Sequence, residues 1–153
     1  MHIQDIEIYR SELEGLIKRF ATKTVSLVSA ETVSSWAKAN AYSVRGDPIA
    51  AAFPPISNNS FIIAIRRVID ERSISSVIDA LVVTGFATES EQLENSPYLF
   101  LSHTVLHELA HIENEWGQEF EAECDLWAFS RLEKENADSV SYTHLTLPTT
   151  PYV

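Results

Sequence analysis

Ser96-Pro97-Tyr98-Leu99-Phe100-Leu101-Ser102-His103-Thr104-Val105-Leu106-His107-Glu108-Leu109-Ala110-His111-Ile112-Glu113-Asn114-Glu115-Trp116-Gly117 is the stretch from which the rest of the chain is read. A serine followed by proline at the first helical position signals a helix start, and glycine is common just past a helix end, so a helix is expected from Ser96-Pro97 to about Trp116-Gly117. Residues four apart on a helix stack on one face, which lets His107 and His111 present two imidazole nitrogens to one ion. Val105, Leu106, Leu109 and Ile112 form the apolar stripe that buries the opposite side. The pattern His107-Glu108-x-x-His111 therefore reads as a metal site.

The chemistry asks for these residue types at this spacing. Zinc takes imidazole nitrogens at about 2.0 to 2.1 Å in a tetrahedral arrangement, and a catalytic site keeps one position for water. Glu108, beside the first histidine, is placed to take a proton from that water and pass it to a leaving amine. The metal would bring the water's pKa toward about 7, so that a hydroxide-like nucleophile is available at neutral pH.

A third protein ligand must come from the next segment. A last helix is expected from about Glu119 to Glu135, with Phe120, Cys124, Trp127, Ala128 and Leu132 on its apolar face. In it, Glu121 and Asp125 lie one turn apart. Glu121 is the expected ligand, with Glu119 and Glu123 as alternatives, and Asp125 is placed to accept a hydrogen bond from the outer nitrogen of a ligating histidine. The longer pattern HExxHxxGxxH fails, because it needs glycine at 114 and histidine at 117, where the chain has Asn114 and Gly117. His103 continues the histidine face by one turn; structural use is the ordinary explanation, with a role in steadying substrate or oxyanion as the alternative. Cys124 is expected as a small buried thiol rather than a zinc ligand. Trp116 is expected to anchor packing at the turn.

Outward from this segment, residues 5 to 22 repeat apolar positions at helical spacing and 32 to 42 carry a second helix. Both read as scaffold. Gly46 to Ser60 reads as a long irregular connection. Phe61-Ile62-Ile63-Ala64-Ile65 is a strand reaching toward Val68, residues 73 to 80 form a helical turn or two, and Leu81 to Phe86 reads as a second strand, although periodicity does not separate strand from buried helix there. The fold class is α+β: a helix-rich single domain with a small sheet, an active-site helix and a following glutamate helix, over residues 1 to 138.

Residues 139 to 153 carry no charge and no helical period, and are expected to be a non-native or disordered tail. The formal charge of −11 is uneven: residues 1 to 86 hold nine acids and nine bases, whereas 87 to 153 hold thirteen acids against Arg131 and Lys134. That field disfavours direct nucleic-acid binding and favours cations and basic peptide segments. One cysteine permits no intramolecular disulfide, and Met1-His2-Ile3-Gln4-Asp5 opens no secretory signal, so a cytoplasmic setting is expected. No apolar run approaches the roughly 20 residues that span a bilayer, so no membrane role is expected. The oligomeric state is left open.

These residues resemble the gluzincin branch of zinc peptidases, in which HExxH on an active-site helix is completed by a glutamate from a following helix. His107-Glu108-x-x-His111 and Glu121-x-x-x-Asp125 carry the likeness, over about residues 96 to 132. The compact layout is most similar to minimal gluzincins and ImmA/IrrE-type peptidase domains. The resemblance implies a zinc metallopeptidase acting on a peptide or protein substrate, with an edge strand near Phe61 or Val82 aligning the peptide over the cleft. It also implies a downstream tyrosine or histidine for the transition state, and no candidate for that role stands before the tail. A catalytically weak or inactive regulatory module is the alternative that follows.

Overall fold

Phe61-Ile62-Ile63-Ala64-Ile65 has no polar alternation, so a strand made from it needs cover on both faces. That requirement is met in the computed structural model, which describes residues 1–146, with side-chain surroundings up to residue 135. Strand β3 (Phe61–Arg66) is the centre of a three-stranded sheet of order β1-β3-β2, where β1 is Val25–Ala30 and β2 is Ala50–Phe53. β1 runs parallel to β3 from Val25 opposite Phe61 to Ala30 opposite Arg66, and β2 runs antiparallel from Ala50 opposite Ile65 to Phe53 opposite Ile62. Ile63 and Ile65 enter the main core with Leu27 and Ala50, while Ala64 faces the other way onto Val33, Ala37 and Phe53.

Helix α1 (Arg10–Phe20) follows a 3-10 turn at Ile6–Tyr9 that Asp5 caps, and it buries Leu13, Leu16 and Ile17. Helix α2 (Val33–Ala39) is capped by Thr32 and covers the second sheet face, where the rings of Trp36, Tyr42 and Phe53 pack together. Both helices lie within the expected segments. The connection from 46 to 60 is not wholly irregular, because β2 forms inside it.

Residues 81 to 83 correct the expected second strand. Helix α3 (Glu71–Val83) is capped by Asp70, whose carboxylate accepts from Ser73 N–H at 2.7 Å, and buries Ile74, Ile78 and Leu81. Leu81 completes a helical period begun at Ile74, whereas Val82 and Val83 are 47% and 84% exposed. Their β propensity is overridden by that period. Thr84-Gly85 ends the helix with Gly85 at φ 100°, a left-handed conformation suited to glycine. Helix α4 (Ala87–Glu94) follows and buries Leu93.

Helix α5 (Pro97–Glu113) starts where the serine-proline signal places it, with Ser96 Oγ accepting from Leu99 N–H at 3.2 Å. It is the core helix. Phe100, Leu101, Val105, Leu106, Leu109 and Ala110 have no exposed surface, and truncating Leu109 to alanine would cost about 2 to 5 kcal/mol. After a 3-10 turn at Gln118–Phe120, helix α6 (Glu121–Thr146) begins two residues later than expected and passes Glu135. The backbone of 139 to 146 continues this helix, and the remainder of the suspected tail, 147 to 153, lies outside the described residues. Cys124, Ala128 and Leu132 of α6 are buried, as its apolar face requires. Among the described residues no helix is long and apolar enough to cross a membrane.

The architecture is thus α+β, a helix-rich domain around a small mixed sheet. The sheet edges are β1 and β2. Phe61 lies in the central strand and Val82 in a helix, so neither supplies the edge strand near those residues that the resemblance implied.

Candidate metal centre

The turn after α5 lets α6 fold back along it. His111 meets Glu121 and His103 meets Asp125, a rising position paired with a falling one, so the two helices run antiparallel at the site. Asn114 caps α5, and Glu115 takes the left-handed conformation (φ 53°). The helix therefore ends at Glu113, four residues before Gly117, and Gly117 is extended (φ −80°, ψ −170°). This early reversal turns the Trp116 carbonyl back onto the helix, where it accepts from His111 Nδ1–H at 2.7 Å. The Trp116 ring stacks on Phe120, the packing role expected of it.

His107 and His111 stand edge to face, with ring centroids 5.1 Å apart. Glu121 connects them: Oε2 lies 2.8 Å from His107 Nε2 and Oε1 lies 3.0 Å from His111 Nε2. The opposite nitrogens are engaged elsewhere. His107 Nδ1 is 2.7 Å from Asp125 Oδ1, and His111 Nδ1 is held by the Trp116 carbonyl. A carbonyl only accepts, so His111 carries its proton on Nδ1 when neutral and presents a lone pair on Nε2. Asp125, kept ionised below the usual carboxylate range despite burial by its bonds from His103 and His107, imposes the same tautomer on His107.

Charges balance within the cluster. Burial alone would depress His107, but the carboxylates of Asp125 and Glu121 raise it to about 10. Burial pulls Glu121 upward, and the two imidazoles overcome it and hold the carboxyl at about 2. Burial raises Glu108 to about 7, with His107 and His111 opposing the rise. Glu108 takes no side-chain hydrogen bond among the described residues. It is thus a carboxyl beside the cage whose protonation changes near neutrality.

Of the residues expected at the site, His107, His111, Glu121 and Asp125 converge with Glu108 beside them. Glu119 and Glu123 stay exposed and take no part; the Glu119 carboxylate instead lies over Gly117. Cys124 is buried as expected, yet not remote: single donor atoms of His107, His111 and Cys124 lie within 4.8 Å of one another. Burial and the surrounding carboxylates push its thiol up to about 12. His103 points inward to Asp125 and is 3% exposed, so it has the structural setting rather than contact with a substrate. The pairing of His103 with Asp125 was not foreseen, although His103 precedes His107 by the same one turn that separates Asp125 from Glu121.

No family model, curated protein or solved structure matches this chain. The chemistry is therefore read from the side chains. Tetrahedral coordination at 2.0 to 2.1 Å places neighbouring donor atoms about 3.3 Å apart. The separations of 2.8 and 3.0 Å are hydrogen-bond lengths, shorter by a few tenths of an ångström. Each imidazole–carboxylate contact is thus within a few tenths of an ångström of the spacing between two ligands of one ion. Two imidazole nitrogens, one carboxylate and a fixed outer partner for each imidazole make a donor set that fits zinc.

Proposed function

We propose that the chain is a zinc-dependent metallopeptidase in which His107, His111 and Glu121 hold the ion and Glu108 is the general base. The observation that carries this reading is the Glu121 carboxylate set between the two Nε2 atoms while both Nδ1 atoms are tied back. When bound, the ion supplies Lewis acidity, polarising a carbonyl and lowering the pKa of water.

The chain's own groups supply the rest. Asp125 and the Trp116 carbonyl fix ring orientation and tautomer before any substrate arrives. Glu108 accepts a proton from water and returns it to the departing amine, a role suited to a carboxyl raised to about 7. The edge strand β2 packs against α5 and supports peptide alignment. Ile49 C=O accepts from Arg66 N–H, so alternation along the strand turns the N–H and C=O of Ala50 and Ala52 away from β3, where an extended peptide could pair with them. The acidic half of the chain suits a basic peptide, and a cytoplasmic setting goes with the single buried cysteine.

Changing Glu108 to glutamine should leave bound zinc unchanged and lower hydrolysis of a peptide library by about 10²- to 10⁴-fold. Undiminished cleavage would overturn the assignment. A second reading, a zinc-holding regulatory module without turnover, is favoured by one observation: His103, the remaining histidine of this face, is committed inward to Asp125 and cannot stabilise an oxyanion. Cleavage by the metal-loaded chain that is lost with Glu108→Gln would eliminate it.

A further inference from the structure

Beneath the proposed cage lies a histidine that the ligand set does not use. His103 packs its ring 4.2 Å from that of Phe129, and its Nε2 is 3.1 Å from Asp125 Oδ1. The same oxygen meets His107 Nδ1 at 2.7 Å. Because the Asp125 carboxylate only accepts, His103 carries its proton on Nε2 and is left with a lone pair on Nδ1. That Nδ1 is buried with no hydrogen-bond partner among the described residues. Burial lowers the His103 pKa, against the bond to Asp125 that raises it.

An imidazole with half its polar groups unmet in the core costs stability that leucine or methionine at the same place would not. Core packing therefore gives no reason for histidine here, whereas the bond to Asp125 does. Asp125 sits among other acidic groups, with Glu108 and Glu121 close enough to influence the same imidazoles. Two donors on one oxygen hold it in a single rotamer, and that rotamer is the one that aims His107 Nε2 at Glu121.

We propose that His103 is a positioning residue of the metal centre, which locks Asp125 through a hydrogen bond and thereby sets how tightly His107 and its partner ligands hold the ion. The proposal builds on the metal reading above. Outer partners of ligating histidines typically contribute 10- to 100-fold in metal affinity, and His103, one bond further out, should contribute about tenfold.

The test is zinc competition against a chromophoric chelator, on full-length wild type, His103→Leu, His103→Gln and His107→Ala, with thermal melts of each metal-free protein alongside. His103→Leu removes the donor and should weaken zinc about tenfold while the metal-free melt stays level or rises. Glutamine places an amide N–H near the position of the imidazole Nε2–H and should restore affinity close to wild type. Equal affinity for wild type and His103→Leu would overturn the proposal, as would leucine and glutamine weakening zinc alike, which would make the residue mere packing. Two ions bound by wild type with one lost in His103→Leu would also overturn it, making His103 a ligand. If leucine prevents folding, His103→Met repeats the comparison with a more adaptable side chain. A wild type that binds no better than His107→Ala would instead remove the metal reading, and this one with it.

Discussion

Substituting Glu121 by glutamine keeps the shape of the side chain and removes its charge. In the metal-free protein the loss is small. The carboxylate is 56% exposed, and its contacts at 2.8 and 3.0 Å to His107 and His111 are of the kind worth no more than about 1 kcal/mol near a surface. At roughly 2 to 4 °C per kcal/mol for a domain of this size, the melting temperature with chelator should move by less than about 4 °C. Metal binding should respond far more. An amide has one acceptor oxygen for two imidazoles and is a poor zinc ligand, so affinity should fall by at least about 100-fold, or about 2.7 kcal/mol. At a free zinc level of about 100 times the wild-type Kd, the ion stabilises wild type by about 2.7 kcal/mol and raises its melting temperature by roughly 5 to 11 °C. In the variant the same zinc level equals its Kd, and the gain shrinks to about 0.4 kcal/mol, a shift of about 1 to 2 °C. The assay pairs chelator competition with melts with and without zinc, using Glu119→Gln and Glu123→Gln as controls that should behave as wild type. Undiminished zinc affinity in Glu121→Gln, or an equal loss in either control, would refute this ligand assignment.

Other outcomes are specific. Without metal, stability should decline as pH rises above 7: His107, raised from 6.5 to about 10, contributes stability fully present below 6.5 and lost as pH climbs through 10, and the raised His111 acts in the same direction. Below 7 the raised Glu108 and the lowered His103 work in opposite directions. Urea melts with chelator at pH 7, 8 and 9 check this, and a midpoint that increases over that range would contradict it. Ser96→Ala removes the α5 cap and should cost about 1 kcal/mol in a denaturant melt without altering zinc stoichiometry. Cobalt-substituted protein should show no sulfur-to-metal absorption, and Cys124→Ala should retain its metal; a thiolate band lost in that variant would place Cys124 in the ligand set in place of Glu121.

The helix of the metal motif was legible because three independent signals agree there: the Ser96-Pro97 start, the buried stripe through Leu109 and the stacked histidines. Its end was not. Glycine at 117 drew the boundary outward, whereas Glu115 accepts the left-handed turn and brings the Trp116 carbonyl onto His111, a tertiary demand that local preference does not encode. β2 is rich in alanine and lacks β-branched residues, so only its pairing with β3 makes it a strand. In the opposite direction, Val82-Val83 carry a strand preference that the helical placement of Leu81 overrides. The carboxylate partner of the two histidines could be narrowed to three glutamates by helical spacing, but the distances to both Nε2 atoms distinguish Glu121 from Glu119 and Glu123. His103 was readable as a member of the face, while its inward bond depends on the antiparallel pairing of α5 and α6.

The most direct test is the metal content of purified, zinc-equilibrated and desalted protein, wild type beside His107→Ala, by elemental analysis. One zinc per wild-type chain and none in the variant is the expected result. Zinc far below one per chain in wild type, or equal zinc in both proteins, would contradict a metal centre built on His107, His111 and Glu121.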